Sequence, residues 1–384
     1  MTKHLAFLAL AAAAVAACEQ NRGVTNPSAA VSASLQAQRD QNDFGDDNGP
    51  HAVYTLTNQV AGNAVAVFTR AADGTLHAAG TIATGGTGTG AGLGSQGAIA
   101  LSDDGRFLFA VNARSNDVSV LRVGAHGLSL AGRTPSGGTL PISVAVHGNV
   151  VYVLNAGGAG NISGFTLGPK GALSAISGST RALSGTNVGP AQVSFSPDGR
   201  SLVVTEKTTS RLDVYAVDER GRAGGLRSVA SAGGTPFGFA FALRNLLFVS
   251  EAAAPGSASS YILGRDGDPR VVSGVVLTHQ GAPCWAVVTN DGRLGFTGNG
   301  SGSVSAFTIA RDGSIRLLDA NGATAVIAGG VNDIALSRDS RYLYVLRTAA
   351  VQAIHAFRIE PDGHLVPLGP VEGIPTGTRG LAAF

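Results

Sequence analysis

The chain has 384 residues, enough for two average domains or one large β-architecture, and carries 55 glycines but only 14% charged residues, against roughly 25% in an ordinary globular chain. Its net charge is +2 with no dense run of Lys or Arg; a nucleic-acid site needs a concentrated basic face, so nucleic acid is excluded as a partner. Abundant Gly, Thr, Ser and Val with few charges predicts many short strands joined by tight turns.

At the N-terminus, Lys3 and His4 precede an apolar stretch from Leu5 to Val15, and Ala16-Ala17-Cys18 follows. The stretch is too short to span a bilayer and ends in small residues, which is the pattern of a secretory signal over residues 1–17. Residues 18–50, rich in Gln, Asn, Ser, Ala and Asp and without periodicity, read as a flexible tether. The "AVAAC" ending resembles the lipobox of bacterial lipoproteins. That resemblance implies Cys18 as the acylated first residue of the mature chain and an extracytoplasmic protein, in the periplasm or at the cell surface, held to a membrane by its lipid alone. A cleaved signal with an incidental cysteine is the alternative.

Next, "TGGTGTGAGLGSQG" (84–97) contains a literal G-x-G-x-x-G from Gly92 to Gly97. That fingerprint binds a dinucleotide only where it follows a strand and opens a helix. Here "AIALSDDGRFLFAVN" follows, which is strand, turn and strand, so no cofactor is expected; the glycines instead let a chain cross a crowded surface at unusual φ/ψ.

From residue 51 onward one unit recurs. "QGAIALSDDGRFLFAVNARSNDVSVLRVGAHGLSLAG", "AQVSFSPDGRSLVVTEKTTSRLDVYAVDERGRAGGL" and "CWAVVTNDGRLGFTGNGSGSVSAFTIARDGSIRLLD" each read as four strands with an Asp-Gly turn after the first and a glycine turn after the third. The polar residue closing the second strand falls at Asn58, Asn112, Asn155, Glu206, Glu251, Asn299 and Arg347. Seven such units predict an all-β fold, a seven-bladed β-propeller over 51–384. Asp-Gly between alternating runs predicts type I′ hairpins. The first unit begins at its second strand, "HAVYTLTN", and the C-terminal "TRGLAAF" supplies the missing inner strand, so the first blade is closed by the C-terminal strand.

Because strands within a blade alternate direction, the ends of the second strands and the starts of the first strands share one face. Together with Gln96, Ile142, Gln192, Phe237, Trp285, Asp333 and Arg379, they predict a ring-shaped polar pocket with one aromatic wall, suited to a small anionic or polar ligand. In the competing reading the Asn residues are structural, bonding local backbone, and Arg347 pairs with a neighbouring glutamate. His279 lies in a loop crossing toward this mouth, near Cys284, as a base or as a solvated loop residue. No His/Cys/carboxylate spacing reads as a metal site.

The repeated "SPDGR", "DGRFLFAVN" and "DGSIRLLD" phrasing resembles the lactonase-type seven-bladed propellers, the family of 6-phosphogluconolactonase and carboxymuconate cyclase. The resemblance implies catalytic acidic residues at Glu206 and at Glu251 in "FVSEAA"; Asn299, Trp285, Arg347, Arg379 and His279, placed at the same mouth by the strand pattern, are the candidate ligand contacts. The family pattern also has Arg-His where this chain has Phe237-Gly238, and Arg where it has Gly300. Lactone opening needs a base for water and a cation for the oxyanion, so two functions stand. One is a lactone hydrolase or cyclase on anionic sugar or muconate-type acids with Glu251 as base. The other is a noncatalytic envelope propeller that binds a small ligand or a protein.

Overall fold

The computed structural model describes residues 51–384; the signal segment, Cys18 and the tether lie outside the described residues. Seven antiparallel sheets are arranged in a ring. Their inner strands are Arg379–Ala383 for blade one, then Ile99–Leu101, Pro141–His147, Pro190–Phe195, Pro236–Ala242, Pro283–Val288 and Gly330–Leu336 for blades two to seven. The C-terminal strand pairs antiparallel with Ala52–Leu56, so the chain ends meet in blade one as expected.

Burial explains the sequence pattern of the strands. The second strands, such as Phe107–Asn112, Ser201–Glu206 and Leu246–Glu251, are buried at every position. They are covered by a blade on either side, which is why they read as nearly continuous apolar runs rather than alternating ones. Outer strands are exposed or half-buried over most of their length, as in Ala223–Ala230.

The first hairpins of blades two, four, six and seven are not type I′. Only their third loop residue has positive φ: Gly105 (69°), Gly199 (69°), Gly292 (68°) and, in blade seven, Ser340 (55°). Gly105 N–H donates to Ser102 O at 2.8 Å, a type I turn followed by one left-handed residue. The hydroxyl two residues before each aspartate explains the choice. Ser102, Ser196, Thr289 and Ser337 donate to Asp104, Asp198, Asp291 and Asp339 at 2.6–2.7 Å. The same carboxylates accept the N–H of the residue after the turn, as in Arg106 N to Asp104 at 3.0 Å. Partial burial works against the charge on Asp104, Asp198 and Asp339, but these donors prevail and hold them below the usual carboxylate range. Such side-chain turns outcompete the mirror-image geometry.

At the opposite face the inner strands begin with β-bulges, for example between Pro141 and Ser143, Pro190 and Gln192, and Pro283 and Trp285. A bulge bends its strand and re-aims the side chains beside it, so side-chain direction at this mouth does not follow simple alternation.

Candidate functional site

The polar residues closing the second strands do not face the ring axis. Asn112, Asn155, Glu206 and Glu251 latch the loop arriving from the preceding blade, whereas Asn58 ties the loop leaving its own blade and Asn299 and Arg347 bond within theirs. Asn112 accepts from Thr84 Oγ1 at 2.7 Å and from Asn63 Nδ2 at 2.9 Å, and donates to Asp117 and Ser119. Asn58 accepts Thr89 N–H at 2.9 Å and donates to Ala91 O at 2.7 Å. Asn299 donates to Ser303 and Ser305, each at 2.9 Å.

Glu251 and Glu206 follow the plan of Asn112. Glu251 has no exposed surface and accepts four bonds, from Gly233 N (2.7 Å), Ser231 Oγ (3.0 Å), Ser257 Oγ (2.8 Å) and Ser259 Oγ (2.5 Å). A Cβ at Gly233 would land on its carboxylate, so the loop glycine and the glutamate are matched. Glu206, also unexposed, accepts Ser184 N (3.0 Å), Ser184 Oγ (2.5 Å) and Thr209 Oγ1 (2.6 Å). Asp213 shares the Ser184 N–H with it, also at 3.0 Å. Burial first, and the neighbouring Glu206 second, push the Asp213 carboxyl up to about 7. A second carboxyl missed by sequence reasoning therefore sits against Glu206; the signal was available in "SRLDVY", an acidic residue on an otherwise apolar strand.

The remaining predicted contacts are scattered. Arg347 donates to Val351 O at 2.8 Å and pairs with Glu372 at 3.5 Å, both within its own blade, and not with Glu206 or Glu251. Arg379 is buried and bonds Thr378 O at 2.7 Å; desolvation lowers its pKa to about 10. His279 is exposed in a left-handed loop position (φ 56°). Cys284 is fully buried, so it offers no accessible nucleophile beside the exposed His279. The structure brings none of Glu251, His279, Arg347 and Arg379 into bonding contact with another.

What fills the predicted pocket is the glycine-rich segment itself. Leu93 and Gln96 are buried at the mouth, with Trp285 and Lys207. Lys207 Nζ donates to Gly94 O at 2.5 Å and lies 5.0 Å from the Phe237 ring centroid. Trp285 Nε1 donates to Ser95 O at 3.1 Å, and Ser95 Oγ to Ile142 O at 2.9 Å. Gln96 spans to blade six: its Nε2 donates to Ala286 O at 2.8 Å and its Oε1 accepts Ala286 N–H at 2.9 Å. A Cβ at Gly238 would collide with that carboxamide. Glycine at this position, where the family resemblance has histidine, is thus the space Gln96 occupies.

Open space lies at the other end. A cavity of ≈ 760 Å³ opens among the first hairpins and is lined by all seven inner strands. In an antiparallel pair the N–H and C=O of alternate residues point away from the partner. The bonds Ser102 N to Phe107 O, Ser196 N to Ser201 O, Thr289 N to Leu294 O and Ser337 N to Tyr342 O fix that alternation. By it, Leu101, Val146, Phe195, Phe241, Val288, Leu336 and Ala383 turn their peptide groups toward the cavity, and all seven line it. Two residues upstream, the corresponding groups are engaged. Phe239 is clasped by Gln192 (3.0 and 2.7 Å), Ala286 by Gln96, and Leu381 N–H by Asp333 at 3.0 Å. Asp333 also accepts Ile334 N–H, yet complete burial raises its pKa well above the usual range. The cavity's rim carries His147 and Asp103, 3.9 Å apart, and Arg338, 4.6 Å from the Phe384 ring centroid. Among the described residues no cluster of three or more His, Cys, Asp or Glu could hold a metal.

Residues 51–177 match the family described as lactonase, 7-bladed beta-propeller. No curated protein sequence matches. Among solved structures, a putative 6-phosphogluconolactonase from Bacteroides fragilis superposes with a TM-score of 0.69 at 16% identity, over 88% of this chain and 99% of that one. A periplasmic gluconolactonase from Pseudomonas aeruginosa gives 0.65 at 16% identity, over 85% and 98%. A Lactobacillus plantarum protein gives 0.69 at 16% identity, over 86% and 98%. At such identities the likeness establishes the fold.

Proposed function

We propose, from a chain whose residues 51–177 match the lactonase seven-bladed propeller family and whose sheets form a seven-bladed propeller, that it works as a ligand-binding module and not as a lactonase. The observation that carries this reading is the state of Glu251. A general base must reach a water within hydrogen-bond distance, and both Glu251 oxygens are taken by donors of the protein, with no exposed surface. Glu206 is engaged in the same way, and Gly94–Gln96 occupies the mouth that the resemblance marks for substrate. The open cavity at the hairpin face is then the place for a ligand.

The test is hydrolysis of a panel of sugar and muconate lactones by the wild type and by Glu251→Gln. The expected result is no enzymatic turnover by either. Turnover by the wild type that falls about 10²-fold or more in the variant would establish Glu251 as a base and overturn the binding reading.

The same proposal includes an envelope location through acylated Cys18, supported by the "AVAAC" ending after a short apolar segment. Cys18 and Cys284 are the only cysteines, so acylation of Cys18 and its pairing with Cys284 exclude one another. The mass of the mature N-terminal peptide decides. Diacylglyceryl on Cys18, with release from membranes by Cys18→Ser, is expected; an unmodified or disulfide-linked Cys18 would end the idea.

A further inference from the structure

The channel already contains a worked example of what its inner strands recognise. Gln96 meets the N–H and C=O of Ala286 with one carboxamide, at 2.9 and 2.8 Å. Gln192 does the same to Phe239, at 2.7 and 3.0 Å. In both cases a primary amide supplies one donor and one acceptor to a single residue on a bare strand edge, as a neighbouring strand would. These glutamines come from different blades and approach different neighbours, so the match belongs to the edge geometry and not to one local contact.

One step along each strand, at Phe241 and Val288, the same paired groups recur facing the ≈ 760 Å³ cavity, and Leu101, Val146, Phe195, Leu336 and Ala383 repeat them around the ring. Among the described residues no side chain or loop is recorded bonding these seven N–H groups. An isolated N–H would suit an anion and an isolated C=O a cation; a ring presenting both, with Phe195 O also taking a long 3.5 Å contact from Ser194 Oγ, suits a neutral group that donates and accepts side by side. At the intervening positions of blades four and five, Ser194 and Ala240 are small and half-buried in the cavity wall, so a ligand can approach the backbone there. Phe195, Phe241 and Phe384 give its remainder an apolar surface.

We propose that the hairpin-face cavity is a site for small carboxamides, bound edge-on to the inner strands as Gln96 and Gln192 are. This names the ligand class of the binding reading above and rests on it. The probe is N-acetylglycinamide, titrated into the ¹⁵N-labelled protein. Saturable amide shifts are expected at Phe195, Phe241, Val288 and Leu336. N,N-dimethylacetamide, which accepts but cannot donate, and acetate should each bind at least about tenfold more weakly, a loss on the order of one charge-free hydrogen bond. Ala240→Phe, which fills the cavity wall, should abolish the shifts at an unchanged melting temperature; Ser194→Tyr serves the same purpose if that variant does not fold.

A second measurement needs no knowledge of the cavity's natural ligand. Gln96→Ala leaves Ala286 bare, and acetamide should raise the melting temperature of this variant over that of the wild type, where dimethylacetamide should not. Equal response to all three probes, shifts confined to other regions, or no selective rescue by acetamide would each overturn the proposal. Saturable lactone binding without turnover and without a carboxamide response would overturn it while leaving the binding reading intact. Lactone turnover would strike the binding reading alone.

Discussion

The two mouths of the channel are framed by the same seven inner strands, and they end differently. At the blade-to-blade face, bulged strand starts, Gln96, Gln192, Asp333 and the Gly94–Ser95 carbonyls satisfy one another and leave little room. At the hairpin face the strands run into short turns, four of them closed by a Ser or Thr hydroxyl bonded to the aspartate two residues on, and the cavity opens among them. Long connections have chain to spare for covering a mouth; tight turns have none. The difference teaches that in this ring the polar, sequence-conspicuous face is the closed one, and the inconspicuous face is open.

The harshest way to break the comparison is to remove the ring's closure. Deleting residues 376–384 takes the inner strand from blade one, with buried Leu381 and Arg379. A loss on the order of 5 kcal/mol is expected from the apolar surface exposed, with a fall in melting temperature of about 10 °C or more. A truncated protein that melts like the intact one would mean that blade one does not depend on the C-terminal strand.

A smaller loss sharpens the account of the closed side. Glu251→Ala strands Gly233 N–H and the hydroxyls of Ser231, Ser257 and Ser259, and should cost about 3 kcal/mol in denaturant unfolding. Glu251→Gln, which keeps an acceptor, should cost roughly half as much. Were Glu251→Ala as stable as the wild type, the glutamate would not be a latch.

Next comes a pH effect. The Asp213 carboxyl is raised to about 7 in the folded protein, above its unfolded value of roughly 3.9. Folding then favours the protonated form, so its contribution is fully present below about pH 4 and is lost as pH rises through about 7. Asp213→Asn keeps the shape and removes the titration. The melting temperature of the variant relative to wild type should climb between pH 4 and pH 7 and level off above. A difference that stays flat across that range would show that Asp213 is charged beside Glu206.

The smallest effect belongs to the open face. Ser340 holds a left-handed conformation (φ 55°) where the equivalent turns have Gly105, Gly199 and Gly292. Ser340→Gly relieves a cost of roughly 1 kcal/mol and gives up one exposed bond from Asn290, for a net gain of about 0.5 kcal/mol in chemical denaturation. A loss of stability would mean that the Asn290 contact to this turn outweighs its backbone strain.

The ring is legible in the amino-acid pattern. Seven repeats of an alternating strand, a turn and a buried apolar strand can hide their hydrophobic faces only against one another, and a first unit lacking its inner strand needed "TRGLAAF". The pattern also located the polar strand ends and the crossing of the glycine-rich segment. Where those polar groups point depends on contacts between distant segments. Glu251 and Gly233 are matched across a loop, and Gln96 and Ala286 across the channel, by bulges and loop paths that local pattern does not encode. The turn type escaped for a related reason, since Ser102 and Asp104 bond each other and fix a geometry that the Asp-Gly pair alone leaves open. The ring of peptide groups in the cavity has no sequence signal at all, because backbone C=O belongs to every residue and N–H to every residue but proline, and only the fold leaves some of them unpaired.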